Sequence, residues 1–274
     1  MASYLKIGRA VQQIDKWRLA VSKAATHRPF VKVFHVRKRS RRHMTFLYKG
    51  QRVAHLLSDG ESRHVLKIES LLKTIEIFEQ YPLWDLEQVI RLANEMGIQY
   101  PTDKMGEAYV MSTDLLCLEL DPDTLKPRLV AYSCKPTKAI VVDSTHPISV
   151  RRTLQKLALE EEYWRRKGVP FNLITDFHVS RQAAKNLKWA RSVAKFKNEF
   201  IMHEEEFIER FIDRWKLAPL STIRENLFLT AERCKIDYST AFSLFRWGIW
   251  THQIAANLDK EIHVFRPLDP MGCG

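Results

Sequence analysis

The residues with the clearest chemical potential are two acids and a lysine. Asp114 lies in Val110-Met111-Ser112-Thr113-Asp114-Leu115-Leu116, a carboxylate inside an apolar, strand-like stretch. An acid so flanked marks either a strand edge or a site. A second strand-like stretch ends in Ser133-Cys134-Lys135-Pro136. The two-residue period puts Ser133 and Lys135 on one face. If the two stretches pair as a hairpin, Asp114 and Lys135 meet at one end. Upstream, Glu61 stands in the first turn of a helix that can point at that end. Two carboxylates and a lysine suit metal-assisted phosphodiester hydrolysis. The carboxylates hold Mg²⁺, the ion acidifies a water and neutralises the phosphate, and the lysine orients the nucleophile or stabilises charge. The same residues also fit a plainer arrangement, a surface ion pair Asp114–Lys135 with Glu61 as a helix-start acid favoured by the dipole.

The elements that must position these residues follow from periodicity. Residues 8–25 suit a short helix, and 30–36 (FVKVFHV) alternate as a strand. Residues 44–56 suit a hairpin turning at Lys49-Gly50. Ser58 and Glu61 have the spacing of a capping box, opening a helix that runs to about Leu72. Residues 74–79 alternate as a strand, Pro82 ends it, and 85–96 suit a helix. Residues 108–118 and 128–134 suit adjacent strands joined by Asp121-Pro122-Asp123-Thr124. A long helix over 147–166 and a buried strand over 171–175 complete an α/β unit with a mixed sheet. After about residue 180 the pattern becomes helical, over 181–195, 199–215, 221–234 and 239–247. Alternation at 248–254 and again at 261–265 then suggests a two-stranded ribbon, which gives the outline of a winged helix.

Composition narrows the class. The chain has 274 residues and a formal net charge of +12. Residues 1–50 hold 13 Lys/Arg against the single acid Asp15, so the whole excess lies there. Its densest part is Arg37-Lys38-Arg39-Ser40-Arg41-Arg42, which suits a polyanion such as DNA through counterion release. No apolar run nears the roughly 18 residues that span a bilayer. Residues 1–25 are charged throughout and lack a signal-peptide core. Four scattered cysteines, with no C-x-x-C pair, fit a reducing compartment. The expectation is a cytoplasmic protein with no membrane partner. No Gly-rich phosphate loop occurs, so dinucleotide and P-loop nucleotide binding are disfavoured.

Other residues point to packing. His27, His35 and His43 are spaced by eight in the basic segment and suit phosphate contacts or packing better than metal. The aromatic stretch Phe242–Trp250 suits a core rather than base stacking, and Met202–Glu206 is an acidic helix face. The helix at 239–247 offers Arg246 as its one cation, a poor DNA reader. Docking onto a protein suits this region better.

The strings Leu56-Leu57-Ser58-Asp59-Gly60-Glu61, Tyr81-Pro82-Leu83, Val110–Asp114, Lys135-Pro136 and Thr153–Glu160, followed by Tyr163-Trp164, stand in an order that resembles TnsA. TnsA proteins are the endonuclease subunits of bacterial Tns-type heteromeric transposases. The resemblance spans roughly residues 45–176 and is weaker at both ends. It implies a restriction-endonuclease-like mixed sheet flanked by helices, followed by a mainly α, winged-helix-like C-terminal domain. The corresponding division is a basic segment 1–44, a catalytic domain 45–180 and a C-terminal domain 181–274. It also implies that the catalytic residues map onto Glu61, Asp114 and Lys135. Glu61, Asp114, Ser133 and the Cys134 carbonyl are the implied metal ligands. The family often has Gln or Glu where Ser133 stands, so the ligand set differs there. Glu160 matches a family acid, beside the metal or simply solvated.

The resemblance further implies cleavage of the 5′ ends, on the non-transferred strand, of a cut-and-paste element. The implied cofactor is Mg²⁺, replaceable by Mn²⁺. The implied partners are a TnsB-type transposase and a TnsC-type ATPase regulator engaged by the C-terminal region, in a bacterial, nucleoid-associated setting. The basic residues Arg37, Lys38, Arg39, Arg41 and Arg42 are the expected DNA contacts. The competing function is a non-catalytic winged-helix DNA-binding regulator. Against it, acids converging beside a DNA face repel phosphate unless a metal is bound.

Overall fold

A computed structural model describes residues 5–36, 41–141 and 147–271, so Arg37, Lys38 and Arg39 lie outside the described residues. The chain divides into two compact units. The first comprises the chain up to His64 together with Lys73–His178, and the second Val65–Leu72 with the chain from Val179.

In the first unit, α1 (Gly8–Ser22) precedes a hairpin of β1 (His43–Leu47) and β2 (Arg52–Leu56). Helix α2 (Asp59–Ser70) starts here and continues into the second unit. Then come β3 (Thr74–Pro82), α3 (Leu86–Glu95), β4 (Ser112–Leu120), β5 (Pro127–Cys134), α4 (Pro147–Arg166) and β6 (Phe171–Ile174). The sheet order is β3-β4-β5-β6, antiparallel except for the parallel β5–β6 pair. A mixed sheet flanked by helices fits a restriction-endonuclease-like domain. Ala10 and Ile14 of α1, Val89 and Leu92 of α3, and Leu159 and Tyr163 of α4 share one core with Leu116 and Ala131 of the sheet. The burial of this α-helical layer fixes α4 against β4 and β5. The N-terminal basic region therefore contributes a packed helix to this unit.

Residues 30–36 do not form the expected strand. Their backbone is held otherwise. Phe30 N–H donates to the Gln80 carbonyl (3.1 Å), His35 N–H turns back to Lys32 (3.0 Å), and Arg42 donates to the carbonyls of Val33 and Val36. A side-chain guanidinium has taken the place of a neighbouring strand.

The hairpin is tied to β3 by a buried ion pair. Arg52 and Glu79 are 7% and 0% exposed and bond bidentately at 2.9 and 2.6 Å. The His55 N–H adds a 3.1 Å bond to the same carboxylate.

The second unit is helical: α5 (Arg181–Arg191), the short α6 (Lys197–Phe200), α7 (Glu204–Leu217), α8 (Ile223–Cys234) and α9 (Tyr238–Trp250). Its core joins Leu187, Phe207, Phe211, Leu227, Phe245 and Trp250. The ribbon expected over 248–254 and 261–265 is not formed among the described residues, where Ala256↔Pro270 is an isolated bridge. Instead α9 runs on through Gly248 to Trp250. The carbonyls of Val264 and Arg266 accept from the N–H groups of Arg224 and Ile223 (2.8 and 2.9 Å). The segment thus satisfies the orphan donors at the start of α8 rather than pairing as a strand. The aromatic stretch on α9 is core, and Arg246 lies over the Trp189 ring at 4.9 Å and donates to the Trp189 carbonyl. No helix among the described residues is long and apolar enough to cross a membrane.

Removing one partner of the Arg52–Glu79 pair leaves a buried charge uncompensated. Arg52→Ala is expected to cost about 3–5 kcal/mol in urea unfolding, and Arg52→Met with Glu79→Leu much less.

Candidate active site

Helix α2 begins as its sequence dictates. The Ser58 hydroxyl accepts from the Glu61 N–H (3.1 Å) and donates to Glu61 Oε1 (2.9 Å). Glu61 Oε2 accepts from the Leu57 N–H (2.8 Å) and from the Gln80 side-chain amide (3.0 Å). Glu61 therefore caps its own helix, and it is 5% exposed. Three residues on, the His64 ring nitrogens sit 2.8 Å from the Gly60 carbonyl and 3.0 Å from the Thr175 carbonyl, which fixes this first turn beside the end of β6.

The β4–β5 register pairs Leu115 with Tyr132, which brings Asp114 opposite Ser133. Asp114 Oδ2 accepts from the Lys135 ammonium (2.7 Å), the Cys134 N–H (2.7 Å) and, more loosely, the Ser133 hydroxyl (3.4 Å). Lys135 Nζ also donates to the Cys134 carbonyl (3.1 Å). The hairpin pairing thus brings Asp114, Ser133, Cys134 and Lys135 together, as ion pair and as cluster.

Glu160 projects from α4 into this cluster and is 5% exposed. The Thr113 and Ser133 hydroxyls face it. Its Oε1 is buried without a hydrogen-bond partner. Trp164, one turn along α4, donates to the Thr113 hydroxyl at 2.6 Å.

Electrostatics follow from this crowding. Burial, then repulsion from Asp114, raises Glu61 to about 7 against the opposing bonds from Leu57 and Ser58. Burial raises Glu160 to about 7 as well, with Lys135 opposing and Asp114 reinforcing the rise. For Lys135, burial works against the charged form, yet Asp114 and Glu160 hold it above its ordinary value. One ammonium thus faces three carboxylates, two of which ionise only with difficulty.

The donor set fits a hard divalent cation: carboxylate oxygens, a backbone carbonyl and a buried carboxylate oxygen lacking a partner. Among the described residues no group of three or more His, Cys, Asp or Glu side chains is placed to hold a metal ion, so an ion here would depend on fewer side chains together with backbone oxygen, water and phosphate. An ion here would keep open positions, as Mg²⁺ does when it also binds phosphate.

Comparison with known proteins now bears on this geometry. Residues 72–176 match the sequence model of a family described as the TnsA-like endonuclease N-terminal domain. Over that segment the chain is similar to TnsA-like endonucleases. It is 33% identical over 165 residues to "Transposon Tn7 transposition protein TnsA" of Escherichia coli. That alignment covers 60% of this chain and 56% of the relative, so the match spans little more than half of either. The TnsA-like segment contains Asp114, Ser133, Cys134, Lys135 and Glu160, whereas Glu61 lies before its first residue. Glu61 is brought to the TnsA-like sheet by α2 and by Gln80.

Of the expected DNA contacts, Arg41 is exposed, and Arg42 is engaged with the Val33 and Val36 carbonyls. The three histidines of the basic segment do not converge. His27 bonds the Glu79 carbonyl (2.8 Å), His35 stacks edge-on against Phe34, and His43 pairs with Asp59. Sequence reasoning missed Gln80, Thr113 and Trp164. Trp164 lies four residues after Glu160, a helical neighbour spacing that was available as a signal. Gln80 gave none, because nothing in a strand-like string marks a departure in backbone angle.

The raised carboxyl values set a pH dependence. An unfolded glutamate loses its proton near 4.5, whereas the folded Glu61 and Glu160 hold theirs to about 7. Across that window the folded state binds more protons, so stability falls as pH rises and stays lower above it. His27, His55, His64 and His252, lowered by burial, act in the opposite direction and cancel when variants are compared. In chelator, wild type should therefore lose melting temperature relative to Glu160→Gln as pH rises from about 5 to about 8; a difference that stays constant over that range would contradict it.

Proposed function

We propose that this protein is a Mg²⁺-dependent DNA endonuclease that cuts the 5′ ends, on the non-transferred strand, of a transposon. In this reading it works as a subunit of a cut-and-paste transposase beside a TnsB-type transposase and a TnsC-type ATPase regulator. The observation that carries the reading is the charge imbalance of this crowded, largely buried cluster. Asp114, Glu61 and Glu160 surround Lys135, and full ionisation of the three acids needs a second source of positive charge.

Asp114, with its Oδ2 already at the centre of the cluster, is the principal anionic ligand, and Glu61 is the second. The Cys134 carbonyl is a neutral oxygen ligand once Lys135 turns away from it. Bound there, Mg²⁺ or Mn²⁺ supplies a Lewis acid that lowers the pKa of a water and neutralises charge on the scissile phosphate. Lys135, held protonated by its carboxylates, orients the attacking water and stabilises the charge that develops on phosphate. Ser133 bridges, its hydroxyl lying near both Asp114 and Glu160. Glu160 holds the orientation of Lys135 and Ser133 from α4. No protein nucleophile is needed, and no covalent protein–DNA bond forms.

DNA contacts are supported by a groove of about 700 Å³ along α1 and residues 28–35. Lys16, Lys23, Arg28 and Lys32 line it and no acid does. They offer basic groups for phosphates, as does the exposed Arg41, and Arg37-Lys38-Arg39 adds three further cations in the sequence. In the helical unit Arg246 is engaged with Trp189, which supports protein docking there rather than DNA reading.

The test is strand-specific cleavage of an end-labelled transposon-end duplex with Mg²⁺, the cognate transposase and the regulator. Wild type should nick the 5′ ends, and Asp114→Ala should reduce that rate by at least about 10²–10³-fold. Nicks that persist in Asp114→Ala would place the site elsewhere. Absence of 5′ nicks while the partner cuts 3′ ends would favour a binding-only subunit.

A further inference from the structure

Strand β3 is one edge of the four-stranded sheet, and near its end the backbone departs from strand geometry. Gln80 has φ +50° and is 2% exposed. The other non-glycine residues with positive φ among the described residues, Gln51, Leu125, Lys235 and His252, lie in turns or loops or at a helix end. A left-handed glutamine inside a strand is disfavoured by its own Cβ and persists only where its surroundings over-determine it.

Those surroundings are visible. The Gln80 carbonyl accepts from the Phe30 N–H (3.1 Å). Its neighbours Glu79 and Tyr81 remain paired with Leu115 and Thr113, so Gln80 stands across from Asp114. Its side-chain Oε1 accepts from the Ser112 hydroxyl (3.4 Å), and its Nε2 donates to Glu61 Oε2 (3.0 Å). The other described hydrogen bonds to the Glu61 carboxylate come from Leu57 and Ser58, at the start of its own helix. The bond from Gln80 alone comes from the sheet that carries Asp114.

We propose that Gln80 is a positioning residue for DNA cleavage, its strained backbone aiming the side-chain amide at Glu61 and holding that carboxylate toward Asp114. The proposal rests on the nuclease reading above. A glutamate at this place would set a second carboxylate against Glu61, and an apolar residue would leave Glu61 anchored from its helix alone. The amide is the side-chain group that both donates to Glu61 and accepts from Ser112.

The test uses the full chain with its transposase partner and compares wild type, Gln80→Gly, Glu61→Gln and the double variant. Glycine adopts φ +50° without strain, which offsets part of the loss of the two side-chain hydrogen bonds and packing, so Gln80→Gly should still fold cooperatively with a modest loss of melting temperature. Its single-turnover cleavage should nevertheless fall at least about tenfold with unchanged half-saturation by DNA. The Mn²⁺ concentration for half-maximal thermal shift should rise about tenfold. The melting-temperature shifts of Gln80→Gly and Glu61→Gln should be non-additive, a readout that needs no catalysis. Additive shifts, wild-type cleavage in Gln80→Gly, or a rate loss explained by the fraction of variant unfolded at the assay temperature would each overturn the positioning role. A wild-type chain that cuts nothing and shows no Mn²⁺ shift while the cycle stays coupled would sink the nuclease reading, and the role with it. A wild-type chain that cuts while the cycle is additive would sink the role alone.

Discussion

The constraint on which this structure turns is the crowding of three carboxylates, two of them buried, around a single ammonium. Glu61 and Glu160 are buried on α2 and α4, the half-buried Asp114 comes from β4, and Lys135 at the end of β5 is the cation among them. In a low-dielectric setting a net negative cluster holds protons or recruits a cation. Burial favours the proton-holding alternative, raising Glu61 and Glu160 both to about 7. In the proposed nuclease reading, a divalent ion is the other resolution of the same imbalance.

The rest of the first unit serves to hold that imbalance in place. The helix-start bonds of Ser58 and Leu57 fix Glu61 from one side, and Gln80 fixes it from the sheet. Trp164, Leu159 and Tyr163 bury α4 in the core and so press Glu160 toward Ser133. The Arg52–Glu79 pair locks the hairpin to β3 one residue from Gln80, and residues 27–30 bond the outer edge of the same strand. Each contact is ordinary on its own. Together they surround β3 at the point where its backbone departs from strand geometry.

Much of this was legible in the chain itself. The Ser58/Glu61 spacing announced a capped helix, and alternation in two stretches joined by Asp121–Thr124 announced the hairpin that brings Asp114 to Lys135. Local signals of this kind are written in a few adjacent residues. What failed was non-local. Residues 30–36 alternate like a strand, but Arg42 occupies their carbonyls, and residues 261–265 alternate yet serve to cap α8. In both places a distant donor or acceptor competes with the strand ladder, and periodicity carries no record of that competitor. Gln80 and the burial of Glu160 were hidden for the same reason, since strain and desolvation are properties of the packed neighbourhood.

The most direct measurement of the central claim is anomalous diffraction from crystals of the protein soaked in Mn²⁺ at pH 8. The account predicts an anomalous peak about 2.0–2.2 Å from an Asp114 carboxylate oxygen, with Glu61 turned to the same ion. A cluster without a peak, with Lys135 still on Asp114 Oδ2, or a peak held only by surface residues elsewhere, would contradict it.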